Sequence, residues 1–298
     1  MLNAVIDIGS NTIRMCIYEC RDGEIRQIIS KKEPAGLASY VDASGRMQRE
    51  GVYKAISVLR SFKEMLLSFG IERSFVFATA SLRNIENSAQ VVAEIERETG
   101  FDIDVLSGDE EAAMDFFGVT YKSGLKTGML VDIGGGSTEL VGFKNGAISK
   151  TISFPIGSLN AFNRYVSELF PTGIEGERIC QAVRTQLSAI EGINCENGEL
   201  IGVGGSIRGM FKLYNELFCK ASPKKNKIEA SAMDELLRAL GTDEKLRRRA
   251  ILKTVPDRIH TIIPGMLILR TIVGAFDVRS ITVSCFGVRE GYLLKKLP

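Results

Sequence analysis

The sequence is poor in residues that many catalytic and metal sites require. It contains one histidine, His260, and no tryptophan among 298 residues. Serine–histidine catalysis would have to use His260, and a metal site built from several histidines is excluded. His260 has no acidic neighbour at metal-ligand spacing, so a structural or surface role is expected for it. Any chemistry should therefore depend on carboxylates, hydroxyls, backbone amides or a hard cation.

Features of secreted and membrane proteins are also missing. The six cysteines include no Cys-x-x-Cys pair, so neither a zinc ribbon nor a disulfide scaffold is indicated. No basic segment precedes an apolar stretch at the N-terminus, so no signal peptide is expected. The longest apolar run, 261–276, contains Pro264, Gly265 and Arg270 and is too short to span a bilayer. These absences predict a cytoplasmic protein with reduced thiols.

Neither sign of charge dominates the composition. Lys and Arg number 38 and Asp and Glu 36, a net charge of +2, so no global field marks a nucleic-acid binder. Neither nucleic acid nor membrane is expected as a partner, and a homodimer is left open. Hydrophobic residues at 45% and charged residues at 25% are typical of a soluble globular protein. Two basic clusters, 220–227 and 247–249, are either solvated faces or a track for a polyanion.

One pattern occurs twice along the chain. Segments 5–12 and 130–138 each predict a buried strand that ends in Asp-x-Gly and a polar turn. Two further strands follow in each copy, joined by the hairpin signals Asp22-Gly23 and Asn145-Gly146. Helical and extended patterns alternate elsewhere, which predicts an α/β fold. We expect two similar domains built by duplication, 1–124 and 125–298, with the last helix free to pack back on the first domain.

Glycine-rich turns after the strands are candidate phosphate sites. Successive backbone N–H groups in such a turn attract phosphate oxygens, and glycine allows their close approach. One such turn would also suit a tight hairpin, but the sequence has three. The P-loop and dinucleotide fingerprints are both absent from it. The candidate binding residues are Asp7, Gly9, Ser10, Asn11, Gly134, Gly135, Gly136, Ser137, Thr138, Gly204, Gly205 and Ser206.

Carboxylates accompany these turns. Asp7 and Asp132 each end a buried strand and would repel phosphate unless a cation lay between them. This suggests Mg²⁺ held by carboxylate and phosphate oxygens, and Glu139 could reach the same cation. The alternative is that each aspartate hydrogen-bonds its own turn amides.

A charged helix and an arginine complete the candidates. Asp109 is expected to cap a helix that carries Glu110 and Glu111. These glutamates either suit the positive helix N-terminus or supply a general base that aligns water on a terminal phosphate. Arg83 follows a buried strand and a polar turn, where it is either a surface residue or a group that grips phosphate.

Taken together, the motifs resemble the exopolyphosphatase/guanosine pentaphosphate phosphohydrolase (Ppx/GppA) family. They are 7–11, 79–83, 108–112 and 132–140, with further agreement at 204–207, 257–265 and 281–291. The resemblance covers essentially the whole chain. It implies the actin, sugar-kinase and Hsp70-type fold, in which two ribonuclease-H-like domains enclose the active site in an interdomain cleft.

The resemblance also implies an activity, the Mg²⁺-dependent hydrolysis of terminal phosphate from linear polyphosphate or guanosine pentaphosphate. Glu111 resembles the glutamate that activates water, with Glu110 as the less favoured neighbour. Asp132 and Glu139 resemble the metal-binding and water-positioning carboxylates, and Arg83 resembles a phosphate clamp. The sequence is similar to the short, two-domain form, so processivity on long chains and the preferred chain length are left open.

Rival functions remain at this point. A guanosine pentaphosphate 5′-phosphohydrolase needs a pocket for the nucleobase. An actin-like ATPase or a sugar kinase would share the two Asp-x-Gly turns. A protein of this fold could also be a non-catalytic phosphate or nucleotide sensor. The Glu-Glu-Ala helix and the Ser-Thr-Glu turn favour hydrolysis. The choice of an exopolyphosphatase over the guanosine pentaphosphate enzyme is what the family resemblance implies.

Overall fold

The computed structural model describes residues 1–121, 123–195 and 198–297. Its strands are β1 (Leu2–Ile8), β2 (Thr12–Arg21), β3 (Glu24–Pro34), β4 (Ser74–Ala78), β5 (Ile103–Val105), β6 (Gly128–Ile133), β7 (Thr138–Lys144), β8 (Ala147–Phe154), β9 (Glu199–Val203), β10 (Lys227–Glu229) and β11 (Ser280–Val283). Its helices are α1 (Arg49–Ser68), α2 (Ala80–Arg83), α3 (Ser88–Thr99), α4 (Gly108–Thr120), α5 (Ser158–Tyr165), α6 (Gly173–Leu187), α7 (Gly204–Phe218), α8 (Ala232–Thr242), α9 (Glu244–Thr254), α10 (Ile262–Ala275) and α11 (Val288–Lys296). Short 3-10 turns cover Leu37–Tyr40 and Pro256–Arg258.

The strands form two sheets with the same plan. The first has the order β3-β2-β1-β4-β5 and the second the order β10-β11-β9-β6-β7-β8. In both sheets the hairpin strands are antiparallel, β1 with β2 and β6 with β7. A parallel strand then pairs with the first hairpin strand, β4 with β1 in the first sheet and β9 with β6 in the second. The predicted α/β fold with two ribonuclease-H-like domains is confirmed. The domain boundary at residue 124 stays a prediction. Lys122, which lies close to that boundary, is outside the described residues.

Each sheet has its own hydrophobic core. Helices α1 and α3 cover the first sheet, where Leu59, Phe62 and Ile95 are fully buried. Helix α10 is apolar on nearly all sides and lies in the core of the second sheet. The sequence patterns did not identify it as a helix, because a helix buried all round lacks the amphipathic spacing used to find helices. No helix within the described residues is long and apolar enough to cross a membrane.

Helices α4 and α11 connect the two halves. Helix α4 packs Ala112 and Phe116 against β6 and β7 of the second sheet. Helix α11 follows the second sheet in the chain but packs Tyr292 and Leu293 against β1 and β4 of the first. Each half of the chain therefore contributes a helix to the other half's sheet. The last helix does lie on the first sheet.

Glycines let α4 and α11 approach very closely. A Cβ atom built on Gly118 would lie 2.2 Å from the carbonyl oxygen of Gly287. One built on Gly291 would lie 1.8 Å from the carbonyl oxygen of Met114. Both distances are far below van der Waals contact, so no side chain fits at either position. The helix pair is held as a unit by backbone packing.

A capping box starts α4. Ser107 Oγ accepts a hydrogen bond from the Glu110 amide at 3.2 Å, and Glu110 Oε2 accepts one from the Ser107 amide at 2.9 Å. The expectation that Asp109 caps this helix is wrong, because Asp109 lies inside the first turn.

Loss of this cap should cost measurable stability. We expect Ser107→Ala to lower the free energy of unfolding by about 1 kcal/mol, because one helix N–H loses its acceptor. Urea unfolding followed by circular dichroism would measure the change. Ser222→Ala, at an exposed position, is the matched control, and equal midpoints for the two variants would contradict the prediction.

Candidate active site

Predicted binding turns from both halves meet in one cleft. The turn after β1 and the turn after β6 line a cavity of about 110 Å³, together with the start of α7. A Cβ on Gly136 would lie 2.7 Å from Ser10 Oγ, so the two turns touch at a glycine. The predicted residues that line the cavity are Asp7, Gly9, Ser10, Asn11, Glu111, Asp132, Gly134, Gly135, Gly136, Ser137, Gly204 and Gly205.

Two predicted binding residues lie behind this lining. Thr138 is fully buried, and its hydroxyl donates to the carbonyl of Ile156 at 2.6 Å. Ser206 is also buried and donates to the carbonyl of Ile133 at 2.9 Å. Both hydroxyls brace the glycine turns instead of facing the cleft.

The duplicated hairpins place different charges at matching positions. In the second sheet Asp132 of β6 lies directly opposite Glu139 of β7. At the same register in the first sheet, Asp7 of β1 lies opposite Arg14 of β2. Asp7 also accepts a hydrogen bond from Arg289 Nη1 at 3.1 Å. Arg14 and Arg289 therefore both lie beside the Asp7 carboxylate.

Buried carboxylates gather on the second-sheet side. Glu111 and Asp132 are almost fully buried and Glu139 is completely so. Asp132 Oδ1 and Glu139 Oε2 lack a hydrogen-bond partner among the described residues. Burial raises the pKa of Glu139 to about 7, and the nearby Asp132 adds to the shift. Burial and the charge of Glu139 also raise the pKa of Glu111 well above its ordinary value.

Arg83 links these carboxylates. Its Nη1 donates to Glu111 Oε2 at 2.8 Å and to the carbonyl of Leu106 at 2.9 Å. Its Nη2 lies 3.4 Å from Ser137 Oγ and 3.8 Å from Glu139 Oε1. The guanidinium therefore fixes the orientation of Glu111 at the edge of the cavity, without being part of the cavity lining itself.

The structure adds a group of arginines that sequence reasoning did not assign to the site. They come from β2, α7, the 3-10 turn at 256–258 and α11, and all line the cavity: Arg14, Arg208, Arg258 and Arg289. Burial, followed by the charge of Arg289, lowers the pKa values of Arg14 and Arg208. Burial also lowers the pKa of Arg258 to about 10, with Arg208 and Arg14 contributing. These cations are crowded together, yet they stay charged at neutral pH.

One further carboxylate was missed. Asp115 lies one helical turn after Glu111 on α4 and is fully buried. Neither oxygen has a hydrogen-bond partner of good geometry among the described residues, and the Val288 amide is a neighbouring donor. Burial and the charge of Asp132 raise its pKa well above the ordinary value. A charged residue inside an otherwise apolar helix face is the signal that could have identified it.

A larger cavity of about 870 Å³ lies beside the cleft. It shares Ser10, Ala80 and Gly136 with the cleft, so these residues separate the two spaces. The charged side chains that line it are Asp42 and Arg164, one of each sign. Its remaining lining is apolar, small or amide-bearing. This second cavity is therefore electrically balanced, unlike the cleft.

The basic clusters considered from the sequence lie elsewhere. Lys220 pairs with Glu216 at 3.0 Å and Arg248 pairs with Glu244 at 2.8 Å, all at exposed or half-buried positions. None of the clustered lysines and arginines lines the cleft within the described residues. Lys220 and Arg248 are therefore solvated ion-paired side chains, whereas Arg247 packs over the Phe170 ring at 4.4 Å.

The sequence and the fold are both similar to those of known proteins. The family model of the Ppx/GppA phosphatase family matches residues 16–298. Exopolyphosphatase 1 of Mycobacterium tuberculosis is 26% identical, over 98% of this chain and 87% of that protein. The guanosine-5′-triphosphate,3′-diphosphate pyrophosphatase of Aeromonas salmonicida is 27% identical, over 98% of this chain and 58% of that protein.

Solved structures agree with the sequence comparisons. The crystal structure of the Aquifex aeolicus member of the Ppx/GppA family superposes with a TM-score of 0.80 at 26% identity, covering 99% of this chain and 97% of that chain. An exopolyphosphatase from Cytophaga hutchinsonii has the same fold, with a TM-score of 0.83 at 19% identity, covering 99% and 97% of the two chains. Because the family match extends over nearly the whole sequence and both sheets, the chain belongs to the Ppx/GppA phosphatase family.

Proposed function

We propose that the protein is an exopolyphosphatase, which hydrolyses the terminal phosphate of linear inorganic polyphosphate. One observation carries the proposal. A single cleft has crowded guanidinium groups on one side, two of them without a salt-bridge partner among the described residues, and buried carboxylates, including Glu111, on the other. The first group suits a polyanion and the second suits the activation of water.

The arginines favour a substrate with several neighbouring phosphates. Arg14 and Arg208 make hydrogen bonds only to the neutral oxygens of Ser30 and Ser284 among the described residues. Burial and the neighbouring Arg289 both disfavour these charges, and a bound anion would relieve both their desolvation and their mutual repulsion. A chain of phosphates supplies such anions in series. The curated relatives named as exopolyphosphatases support the same substrate.

Glu111 would act as the general base. In the proposed reaction a water oxygen forms a bond to the terminal phosphorus as the bridging P–O bond breaks. The water proton passes to Glu111, and the shortened chain leaves with the bridging oxygen. The raised pKa of Glu111 makes it a better proton acceptor than an ordinary carboxylate. Arg83 orients this carboxylate, and the glycine turns would hold the terminal phosphate.

Mg²⁺ fits the carboxylate side. Asp132 and Glu139 each carry a buried carboxylate oxygen that has no hydrogen-bond partner among the described residues. Such oxygens are the donors that a hard cation prefers. In the part of the chain that the structure describes, no three His, Cys, Asp or Glu side chains form a ready metal site. Asp132 and Glu139 would therefore share the cation with substrate oxygens. When bound, it would supply positive charge that neutralises the phosphates.

Guanosine pentaphosphate 5′-phosphohydrolase is the second candidate. The observation that favours it is the 870 Å³ cavity beside the cleft, which is large and electrically balanced. Such a space suits a nucleoside better than a chain of phosphates. The relative from Aeromonas salmonicida is named for a nucleotide of this kind.

Phosphate release from a panel of substrates tests these proposals. Short polyphosphate, long polyphosphate, guanosine pentaphosphate and ATP would each be supplied with and without Mg²⁺. We expect Mg²⁺-dependent release that is fastest with polyphosphate, and its loss when Mg²⁺ is chelated. Faster release from guanosine pentaphosphate would favour the second candidate. Tight binding without release from any substrate would contradict both and leave a sensor.

A further inference from the structure

Two consecutive glycines at the start of α7 each make room for a charged group. A Cβ on Gly204 would lie 1.9 Å from Asp132 Oδ1. A Cβ on Gly205 would lie 1.7 Å from Arg258 Nη2 and 2.5 Å from its Cζ. Gly204 therefore leaves room for the Asp132 carboxylate, and Gly205 leaves room for the Arg258 guanidinium.

The reason for glycine differs between the two positions. Gly204 has φ of 80°, a backbone conformation that other residues rarely adopt. Gly205 is not among the positive-φ glycines, so its backbone would accept alanine. Glycine is therefore needed at Gly205 because it leaves space for the Arg258 side chain.

Arg258 lines the cleft and has no close ion pair within the part of the chain that the structure describes. Its side chain is 15% exposed, and Asp257 is its salt-bridge partner, at 3.8 Å. Asp257 is in turn bonded to Lys32 of β3. The positive charges of Arg208 and Arg14 repel the Arg258 guanidinium and lower its pKa. Arg258 is thus held in a place where an anion would bind it well.

We propose that Gly205 is a positioning residue, which places Arg258 to bind the phosphate next to the scissile one. This inference rests on the proposed function for the identity of the ligand as a phosphate chain. Asp132, seated at Gly204, belongs to the hydrolytic side with Glu111. Arg258, seated one residue further along at Gly205, belongs to the arginine side. The glycine pair marks the division between the terminal phosphate and the next one.

A single methyl group at Gly205 should displace Arg258. The atoms that a Cβ at Gly205 would meet are the end of a flexible side chain, so Arg258 should move while the fold is kept. The proposed test compares Gly205→Ala, Arg258→Ala and the double variant. Gly274→Ala is the control, because a Cβ there meets nothing within 4 Å. Circular dichroism and thermal unfolding would establish that all four variants are folded.

Two readouts separate positioning from general damage. Calorimetric binding of tripolyphosphate in EDTA, without turnover, should weaken about 10- to 100-fold in Gly205→Ala, as expected for one charge-assisted contact. With Mg²⁺ and polyphosphate, KM should rise by a similar factor while kcat changes about twofold or less. The double variant should bind no more weakly than Arg258→Ala, because both changes remove the same contact.

The outcomes distinguish this inference from the proposed function. Wild-type affinity in Gly205→Ala, or additive losses in the double variant, would overturn the role of Gly205. Absence of phosphate release by the wild-type protein would instead overturn the proposed function. In that case the tripolyphosphate titrations would still report whether Gly205 positions Arg258.

Discussion

Replacement of Glu111 by alanine is expected to reduce phosphate release from polyphosphate about 10²- to 10⁴-fold, the usual contribution of a general base. The residue is 6% exposed and its carboxylate accepts a hydrogen bond from Arg83 at 2.8 Å, at the edge of the cleft. Removing it leaves the glycine turns and the arginines in place. Substrate should therefore still bind, while the attacking water loses its proton acceptor.

Glu110 provides the matched control for this experiment. It is adjacent in sequence, exposed, and engaged with Ser107 in the capping box. Glu110→Ala should keep its activity and lose about 1 kcal/mol of stability. Steady-state kinetics on both variants, with thermal unfolding to confirm folding, would make the comparison. A folded Glu111→Ala variant with unchanged turnover would remove Glu111 from the mechanism.

The second large effect concerns stability. Gly291→Ala is expected to lower the free energy of unfolding by about 3 kcal/mol or more, at the upper end of overpacking effects. Its Cβ would lie 1.8 Å from the carbonyl oxygen of Met114, a backbone atom on α4 that no side-chain rotation can move. The helices would have to separate, and this would disturb the contacts of α11 with the first sheet.

Urea unfolding would measure the loss. Gly241→Ala is the control, because a Cβ there meets nothing within 4 Å and alanine favours a helix. Gly291→Ala should unfold at much lower urea concentration than the control, or fail to accumulate as folded protein. Equal midpoints would show that α4 and α11 can separate slightly without cost.

Much of the architecture could be predicted because it is local and repeated. Each Asp-x-Gly turn follows a strand of apolar residues, and the two hairpins repeat in the same order, so two equivalent sheets follow from the pattern. The turn residues 9–11 and 134–137 meet in the cleft as expected. Glu111 and Asp132 are also found there.

The arginine side could not be predicted by the same reasoning. Arg14, Arg208, Arg258 and Arg289 come from four separate elements, and their common surface exists only after both halves pack. Arg14 and Arg208 are single charges among apolar and small residues, which was the available signal, whereas Arg258 and Arg289 each adjoin an acidic residue. For Thr138 and Ser206, the sequence predicted binding residues that the structure places behind the cavity lining. A hydroxyl in a glycine turn looks like a ligand donor, but its direction depends on which carbonyl lies nearby.

The crossing of α11 onto the first sheet has a consequence for synthesis on the ribosome. Tyr18 of β2 bonds Glu290 at 2.5 Å across 272 residues of chain, and Asp7 bonds Arg289 across 282. At about 5–20 residues per second, β1 and β2 wait roughly 15–55 s for the helix that covers them. Until then an apolar sheet face stays exposed, and the nascent chain is open to chaperones. The cleft cannot be completed, or begin to act, before that helix emerges.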